Sequence, residues 1–402
     1  MSPSPPDAAS DLLPRPMAGL RVLDCSRVLS GPFAGRILAD LGADVVKLEP
    51  PEGDVTRIWG MQVDGRSGFF EQQNAGKRGI CLDLKARGAA EVFVRLAAAA
   101  DVVIENFRPG VLSRLGAGPD VLMAANPRLV VLSISGFGAT GPDRDRPAYA
   151  PIVQAEAGLV ERQSSLDGRT AVDPIMSYAD TYAGLHGLIA VLAALSLRER
   201  TGTGQHIDLA MLDALVMTDD YAHHAVDESP LVRLGGHVWT TPDGPIVTAG
   251  ELRFIWRVLS ANEGLVDPTP FGASFDEKVA HRFAALTAWF ATPRSSDSLR
   301  GALDRAGVAW GEPRTTRAAV RSPQAVARGL IADLGTRSVV QSPYRFSAAA
   351  SGATRRAPIL GGDAVEVMQT WLDETADHTN DLVAAGILLV PSERIASVTH
   401  PS

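Results

Sequence analysis

The chain has 402 residues, 46% of them hydrophobic, and a formal net charge of −8, long enough for two or more domains with a full apolar core. That acidic balance argues against a nucleic acid as the main partner, because phosphate neutralisation needs Lys and Arg clustered on a basic face. A polyanionic ligand must instead meet a local basic cluster, and since Lys47, Lys77, Lys85 and Lys278 are the only lysines, a lysine near a site carries more information than an arginine.

Residues 1–16, MSPSPPDAASDLLPRP, are rich in Pro and Ser and hold no run of signal-peptide or membrane length. A disordered N-terminus and a cytoplasmic location are expected. From residue 20 the pattern alternates. LRVLDC reads as a buried strand, GPFAGRILADLG as a helix, ADVVKLE and RGICLDL as strands, and RGAAEVFVRLAAAA as a helix. DVVIENF and RLVVLSIS are further strands, with short helices over PGVLSRLG and PDVLMAANP between them. Continuous Val, Ile and Leu strands between amphipathic helices predict an α/β fold whose mostly parallel sheet is covered on both faces. In such sheets ligands sit off the carboxyl ends of the strands, where the loops ENFRPG and SGFGATGPD lie.

Helices are expected from about Pro151 to Arg162 and from Thr181 to Arg200, followed by a Gly-punctuated turn, a short strand and another helix over TGTGQHIDLAMLDAL. After Ala222 the texture changes to strands broken by a PDG turn and helices around 252–262, 276–291 and 296–307. The expected division is a large domain over 17–205, a linker over 206–224, a small α+β domain over 225–340, and a return to the large domain over 345–402.

Cys25 and Cys81 lie in strand-like runs as buried thiols, and no disulfide framework or metal site is expected. His223 and His224 are adjacent and share no helical face, and no HxxxH or CxxC spacing occurs. No G-x-S-x-G follows a strand. The first strand is not followed by a dinucleotide fingerprint either, because Gly31 and Gly35 are separated by Pro32, Phe33 and Ala34. Asp180 stands out as an acid at the mouth of a long apolar helix, where outward-pointing N–H groups favour a carboxylate. A plain N-cap is the structural alternative.

Six segments, LRVLDCSRVLSGPFAGRILADLGADVVKLEPPEGDVTR, NAGKRGICLDLK, DVVIENFRPGVLSRLG, NPRLVVLSISGFGATGP, YADTYAGLHGLIAVLAAL and RTGTGQHIDLAMLDA, resemble in this order the class III coenzyme A transferases of the CaiB/BaiF type. Formyl-CoA and carnitine-CoA transferases and α-methylacyl-CoA racemases are members. The resemblance implies a Rossmann-like sheet in a large CoA-binding domain, a smaller α+β domain, and an interlocked homodimer. It implies acyl-CoA and a carboxylic acid as substrates, with no tightly bound cofactor, no metal, and neither nucleic acid nor membrane as partner. Asp180 takes the place of the nucleophilic aspartate, which forms an aspartyl anhydride and then an aspartyl-CoA thioester. Val28 and Leu82 fall where the adenine or pantetheine lies, Lys85 and Arg114 where the phosphates lie, and Asn106 and Phe107 along the pantetheine path, with Arg57 as a further cation.

Tyr149 stands where related racemases carry a histidine. A phenol is a poor base at neutral pH but can donate a hydrogen bond to a carboxylate or thioester oxygen, which favours transfer over racemisation. Glu251 matches a racemase glutamate and keeps that alternative open, beside a non-catalytic CoA-binding protein. Leu29 and Ala150 replace a glutamine and an acid of formyl-CoA transferase, which implies a more apolar acyl pocket. A glycine-rich lid could lie only at Gly235 and Gly236.

Overall fold

The computed structural model describes residues 13–63, 65–231 and 235–391. β1 (Arg21–Asp24) leads into α1 (Ser30–Asp40) and β2 (Asp44–Glu49). A 3-10 turn over Val55–Ile58, a short antiparallel pair of β3 (Gln62–Val63) and β4 (Arg66–Ser67), and α2 (Gly68–Asn74) precede β5 (Arg78–Leu82). The alternation continues through α3 (Ala89–Ala98), β6 (Val102–Glu105), α4 (Val111–Arg114), α5 (Pro119–Ala125) and β7 (Val130–Ser135). After α6 (Ala150–Glu156) and α7 (Leu159–Asp167), the long α8 (Tyr178–Thr201) returns the chain to β8 (His206–Ala210), α9 (Met211–Thr218) and α10 (Ala222–Val226).

A second stretch holds β9 (His237–Thr241), β10 (Gly244–Thr248), α11 (Leu252–Glu263), α12 (Phe275–Ala291), α13 (Ser296–Arg305), β11 (Trp310–Gly311), α14 (Thr316–Val320) and α15 (Pro323–Ala327). The last described elements are β12 (Ile331–Asp333), β13 (Ser338–Val340), α16 (Ala364–Leu372), α17 (Ala376–Ala384) and β14 (Leu388–Leu389). Among the described residues two compact units result, one from those up to 226 together with those from 327 on, the other from those within 227–326.

The main sheet runs β14-β5-β2-β1-β6-β7-β8, and only β14 is antiparallel to its neighbour. Its parallel strands stand in the order third, second, first, fourth, fifth, sixth, so the winding reverses between β1 and β6. A crevice opens at that reversal off the strands' carboxyl ends. Neighbouring residues of each strand serve opposite faces. Leu23, Val46, Val103 and Val131 pack under α3, α5, α16 and α17, whereas Val22, Val45, Val102 and Val130 pack under α1, α6, α8 and α9. Each such side chain, fully buried, contributes roughly 1.5–3 kcal/mol, which is why the runs read as continuously apolar. Cys25 and Cys81 are buried free thiols in this core. The second unit folds around its own cluster of Trp239, Ile255, Trp256, Leu286 and Phe290 beneath the β11-β10-β9 sheet.

Several boundaries differ from the sequence expectation. The expected linker 206–224 holds β8, the edge strand paired in register with β7, and helix α9. The stretch 331–340, expected in the small domain, belongs to the first unit. There Gln72 accepts from the Val340 N–H and donates to its carbonyl, and Arg337 donates to the Arg66 carbonyl at 2.7 Å. The helix expected over 151–162 breaks at Gly158, whose φ of +79° suits glycine and ends α6 before α7 begins. The C-terminal return to the first unit is fixed by Arg78 to Glu366, Trp371 Nε1 to Asp44, and the Gly79 N–H to Asp363. α8 is long and apolar enough to cross a membrane, and in this fold it packs against α1, α6, α9 and β7.

Candidate active site

The crevice between β1 and β6 is walled by the loops that follow those strands. Asn106 fastens them together, accepting from the Arg27 N–H and donating to the Arg27 carbonyl, both at 2.7 Å, and reaching Ser30 Oγ at 3.2 Å. Glu105, at the end of β6, accepts from the Phe107 N–H at 2.8 Å and so turns the chain toward the cavity. Burial pushes its carboxyl up to about 7, against hydrogen bonds from Ser133 and Phe107.

The β1 loop carries the one strained non-glycine residue of the site. Val28 has φ of +67°, a region that costs a β-branched residue on the order of 1–3 kcal/mol. Beneath this loop lie fully buried charges. Lys77 Nζ donates to Asp24 Oδ2 at 2.7 Å, the Pro32 carbonyl at 2.8 Å and Asn74 Oδ1 at 2.9 Å. Lys47 Nζ meets Asp54 Oδ2 at 3.2 Å and the Ser26 carbonyl. Burial alone would raise the Asp24 carboxyl, but the ammonium groups of Lys77 and Lys47 leave it below the usual carboxylate range.

The third wall is the loop from β7 to α6. Gly136 opens it, and a Cβ there would lie 2.2 Å from that of Ala148 near its end, so glycine lets the two ends of the loop touch. Gly136, Gly138 and Gly141 have G-x-G-x-x-G spacing. No helix follows directly, since α6 begins only at Ala150, so this is not a dinucleotide turn. The loop delivers Tyr149, 64% exposed, at the first residue before α6.

Asp180 comes from α8. It is not the N-cap, a position held by Ser177, but lies within the first turn. Buried Gln154 of α6 accepts from the Ala179 N–H at 3.4 Å and donates to Asp173 at 2.8 Å, bracing that turn. Gly184, one turn further on, lets α8 close onto α1. A Cβ there would sit 2.7 Å from the Ser30 carbonyl and 3.1 Å from Phe33. Ser30 therefore lies beside the Asp180 carboxylate and favours its ionised form, and the starts of two helices converge on one charge. Burial nevertheless dominates and pushes the Asp180 carboxyl up to about 6. Gly184→Ala is expected to cost about 1–3 kcal/mol by overpacking, although alanine is the better helix former. Urea unfolding measures this, and a variant at least as stable as its parent would contradict the close seat of α8 on α1.

These walls enclose a cavity of about 430 Å³ lined by Val28, Asn106, Phe107, Arg114, Tyr149 and Asp180 together with Arg27, Arg108, Arg144 and Arg146. Asp180 is its single carboxylate against five arginines. Arg146 is held by Asp143 and Glu156, whereas Arg27, Arg108 and Arg114 have no carboxylate partner among the described residues. Sequence reasoning missed Arg27 and Arg108, whose signal was their place in the strand-end loops DCSRVL and ENFRPG.

The cavity does not reach Leu82 or Lys85. Leu82 is fully buried on β5 in the core, and Lys85 is exposed beyond β5, two strands from the crevice. Arg57 is also not free for a phosphate, since it grips Glu49 at 2.6 and 2.7 Å and stacks over Phe70. Glu251 is exposed just before α11 in the second unit, and Gly235 and Gly236 lead straight into β9. His223 is exposed, with Nδ1 at 2.9 Å from the Asp220 carbonyl. No group of side chains suited to a metal ion occurs among the described residues.

The chain matches the family model described as CoA-transferase family III over residues 17–364. It is 33% identical over 400 residues to a succinate–glutarate CoA-transferase of Agrobacterium fabrum, covering 90% of this chain and 97% of that protein. It is 35% identical over 351 residues to an acetyl-CoA:oxalate CoA-transferase of Acetobacter aceti, covering 83% and 89%. A solved CAIB/BAIF family protein from Brucella suis superposes with a TM-score of 0.76 at 34% identity, over 88% of this chain and 98% of that one. A doubly wound sheet, an arginine-rich crevice at its reversal point and this likeness along nearly the whole length agree, and the chain belongs to CoA-transferase family III.

Proposed function

We propose that this enzyme moves coenzyme A from an acyl-CoA donor to a carboxylic acid acceptor through covalent intermediates on Asp180. The observation that carries this reading is the lone carboxylate in a cavity lined by five arginines. A carboxylate is a weak nucleophile in water, and partial burial beside Ser30 raises its basicity while keeping the ionised form accessible at neutral pH. An Asp180 oxygen attacks the thioester carbon and the C–S bond breaks, giving an acyl-aspartyl anhydride and CoA thiolate. The thiolate attacks the aspartyl carbonyl and expels the donor acid, leaving aspartyl-CoA. The acceptor carboxylate then attacks that thioester and frees the thiolate, which takes the acceptor acyl group and regenerates Asp180. No proton is consumed. Holding both partners in one pocket replaces separate slow encounters.

The unpaired Arg27, Arg108 and Arg114 suit the CoA phosphates, with Asn106, Phe107 and Val28 along the pantetheine and Tyr149 donating to an acyl oxygen. Racemisation would need a second base facing Asp180, and the cavity offers only the Tyr149 phenol. The names of the relatives point to small carboxylic acids as substrates, and CoA is bound as substrate rather than as a resident cofactor. We further propose an interlocked cytoplasmic homodimer. Exposed Ile175, Ile189, Met217 and Val226 on the first unit support a covered surface.

The test is labelled-CoA exchange across short dicarboxylic, hydroxy and aromatic acids, with hydroxylamine added after acyl-CoA. Hydroxylamine should convert Asp180 to a hydroxamate. Label entering the α-carbon from deuterated solvent, without CoA reaching a second acid, would establish racemisation instead, and CoA binding with neither reaction would mark a silent binder. Because attack needs the ionised carboxylate, kcat/KM should fall about tenfold per unit as pH drops below about 6. A flat profile from pH 5 to 7 would remove Asp180 as nucleophile.

A further inference from the structure

The loop over residues 26–28 is pinned at almost every backbone polar group. The Ser26 N–H donates to Asp24 Oδ1 at 3.1 Å, and the Ser26 carbonyl accepts from Lys47 Nζ. Arg27 is held through N–H and carbonyl by Asn106, and the Val28 N–H donates to Asp54 Oδ2 at 3.1 Å. Asp54 is itself immobilised, since its Oδ1 accepts from Thr56 N and Oγ1 at 3.0 and 2.9 Å and its own N–H donates to Glu49 at 2.9 Å. Lys47 is fully buried and Asp54 is 1% exposed. Neither lines the cavity.

Such over-determination is what a strained residue needs in order to persist. A free Val28 would relax to negative φ, turning its side chain and the following N–H groups away from their present places on the cavity wall. Part of the buried network therefore acts on the ligand only through main chain. Asp54 holds the strained residue itself, and Lys47 ties Asp54 to the carbonyl two residues earlier.

We propose that the buried Lys47–Asp54 pair is a positioning device that keeps Val28 left-handed and thereby sets the affinity of the crevice for acyl-CoA without touching it. This rests on the reading of the cavity as the CoA site. Removing one charge would strand the other, so the test removes both with Lys47→Met/Asp54→Leu, a replacement that buried ion pairs often tolerate. The paired variant should melt close to the parent and keep its kcat, while KM for acyl-CoA and Kd for CoA rise roughly tenfold or more. Adding Val28→Gly, which takes positive φ without strain, should restore part of the lost affinity.

A folded paired variant with parental KM and Kd overturns the proposal, as does a glycine that only deepens the loss. Hydrogen exchange on the unaltered protein decides the pinning without any variant. The Val28 amide should exchange as slowly as the amides of β1, and exchange as fast as that of exposed loops would overturn the inference. A parent chain that binds no CoA at all would instead sink the reading of the cavity, with the Val28 amide still reporting on the loop.

Discussion

Replacing Asp180 with asparagine is expected to lower CoA exchange by on the order of a thousandfold or more, leave CoA binding near the parental value, and raise the melting temperature at pH 8. The first effect follows from losing the only carboxylate in the cavity. The third follows from linkage. Burial holds the Asp180 carboxyl up at about 6, above its ordinary 3.8, so the folded protein takes up a proton more readily than the unfolded chain between those values. Its ionised form therefore costs stability above pH 6, and that cost is relieved as pH falls from about 6 toward 4. Asparagine keeps the shape without the charge, and the gain at pH 8 is bounded at about 3 kcal/mol. Exchange of labelled CoA, calorimetric titration and melts at pH 5 and 8 measure the three effects. An asparagine variant that still exchanges CoA would remove the nucleophile, and one less stable at pH 8 would contradict the burial of the charge.

The sheet was legible in the sequence because its strands are buried on both faces. Pairs such as Val102–Val103 and Val130–Val131 serve opposite cores, so the runs are apolar without alternation. β8 was harder. The polar His206 and Asp208 of HIDLA stay exposed on an edge strand, and a five-residue edge with half its side chains in water resembles a linker. The break at Gly158 was hidden because the residues on either side suit a helix, and only a left-handed glycine ends it. Asp180 was legible as a carboxylate at a helix start, but neither the burial that raises its pKa nor the opposing Ser30, some 150 residues away in the chain, was. Charge partners of this kind leave no local pattern. Arg57 and Arg114 look alike as isolated cations, yet one is consumed by Glu49 and Phe70 while the other faces the cavity. The scarcity of lysine did carry information, though of another sort, since Lys47 and Lys77 are fully buried beneath the β1 loop and hold Asp54, the Ser26 carbonyl, Asp24, the Pro32 carbonyl and Asn74.

Lys77→Met is expected to be the most destabilising single change beneath the crevice, at about 3–5 kcal/mol. All three ammonium protons of Lys77 have acceptors, at Asp24, Pro32 and Asn74, and methionine fills the volume while supplying none of them. The larger part of the loss comes from Asp24, which is 0% exposed and would keep a desolvated charge with only Lys47 nearby. Lys77→Met/Asp24→Leu should recover most of that stability, because no charge is then stranded. It should not recover tight CoA binding, since Asp24 also holds the Ser26 N–H. The pH dependence separates a stranded carboxylate from a simple packing defect. In the parent, the depressed Asp24 pKa contributes stability that is present above about 4 and lost as pH falls through its folded value. In Lys77→Met, burial without its main counter-charge raises that pKa, so the deficit against the parent should shrink as pH is lowered from 7 toward 4. Urea unfolding at pH 4.5, 6 and 7.5 reads this directly. A loss below about 1 kcal/mol, or a deficit that stays constant with pH, would mean that water or a rearranged side chain reaches Asp24 and that the loop does not stand on a dry ion pair.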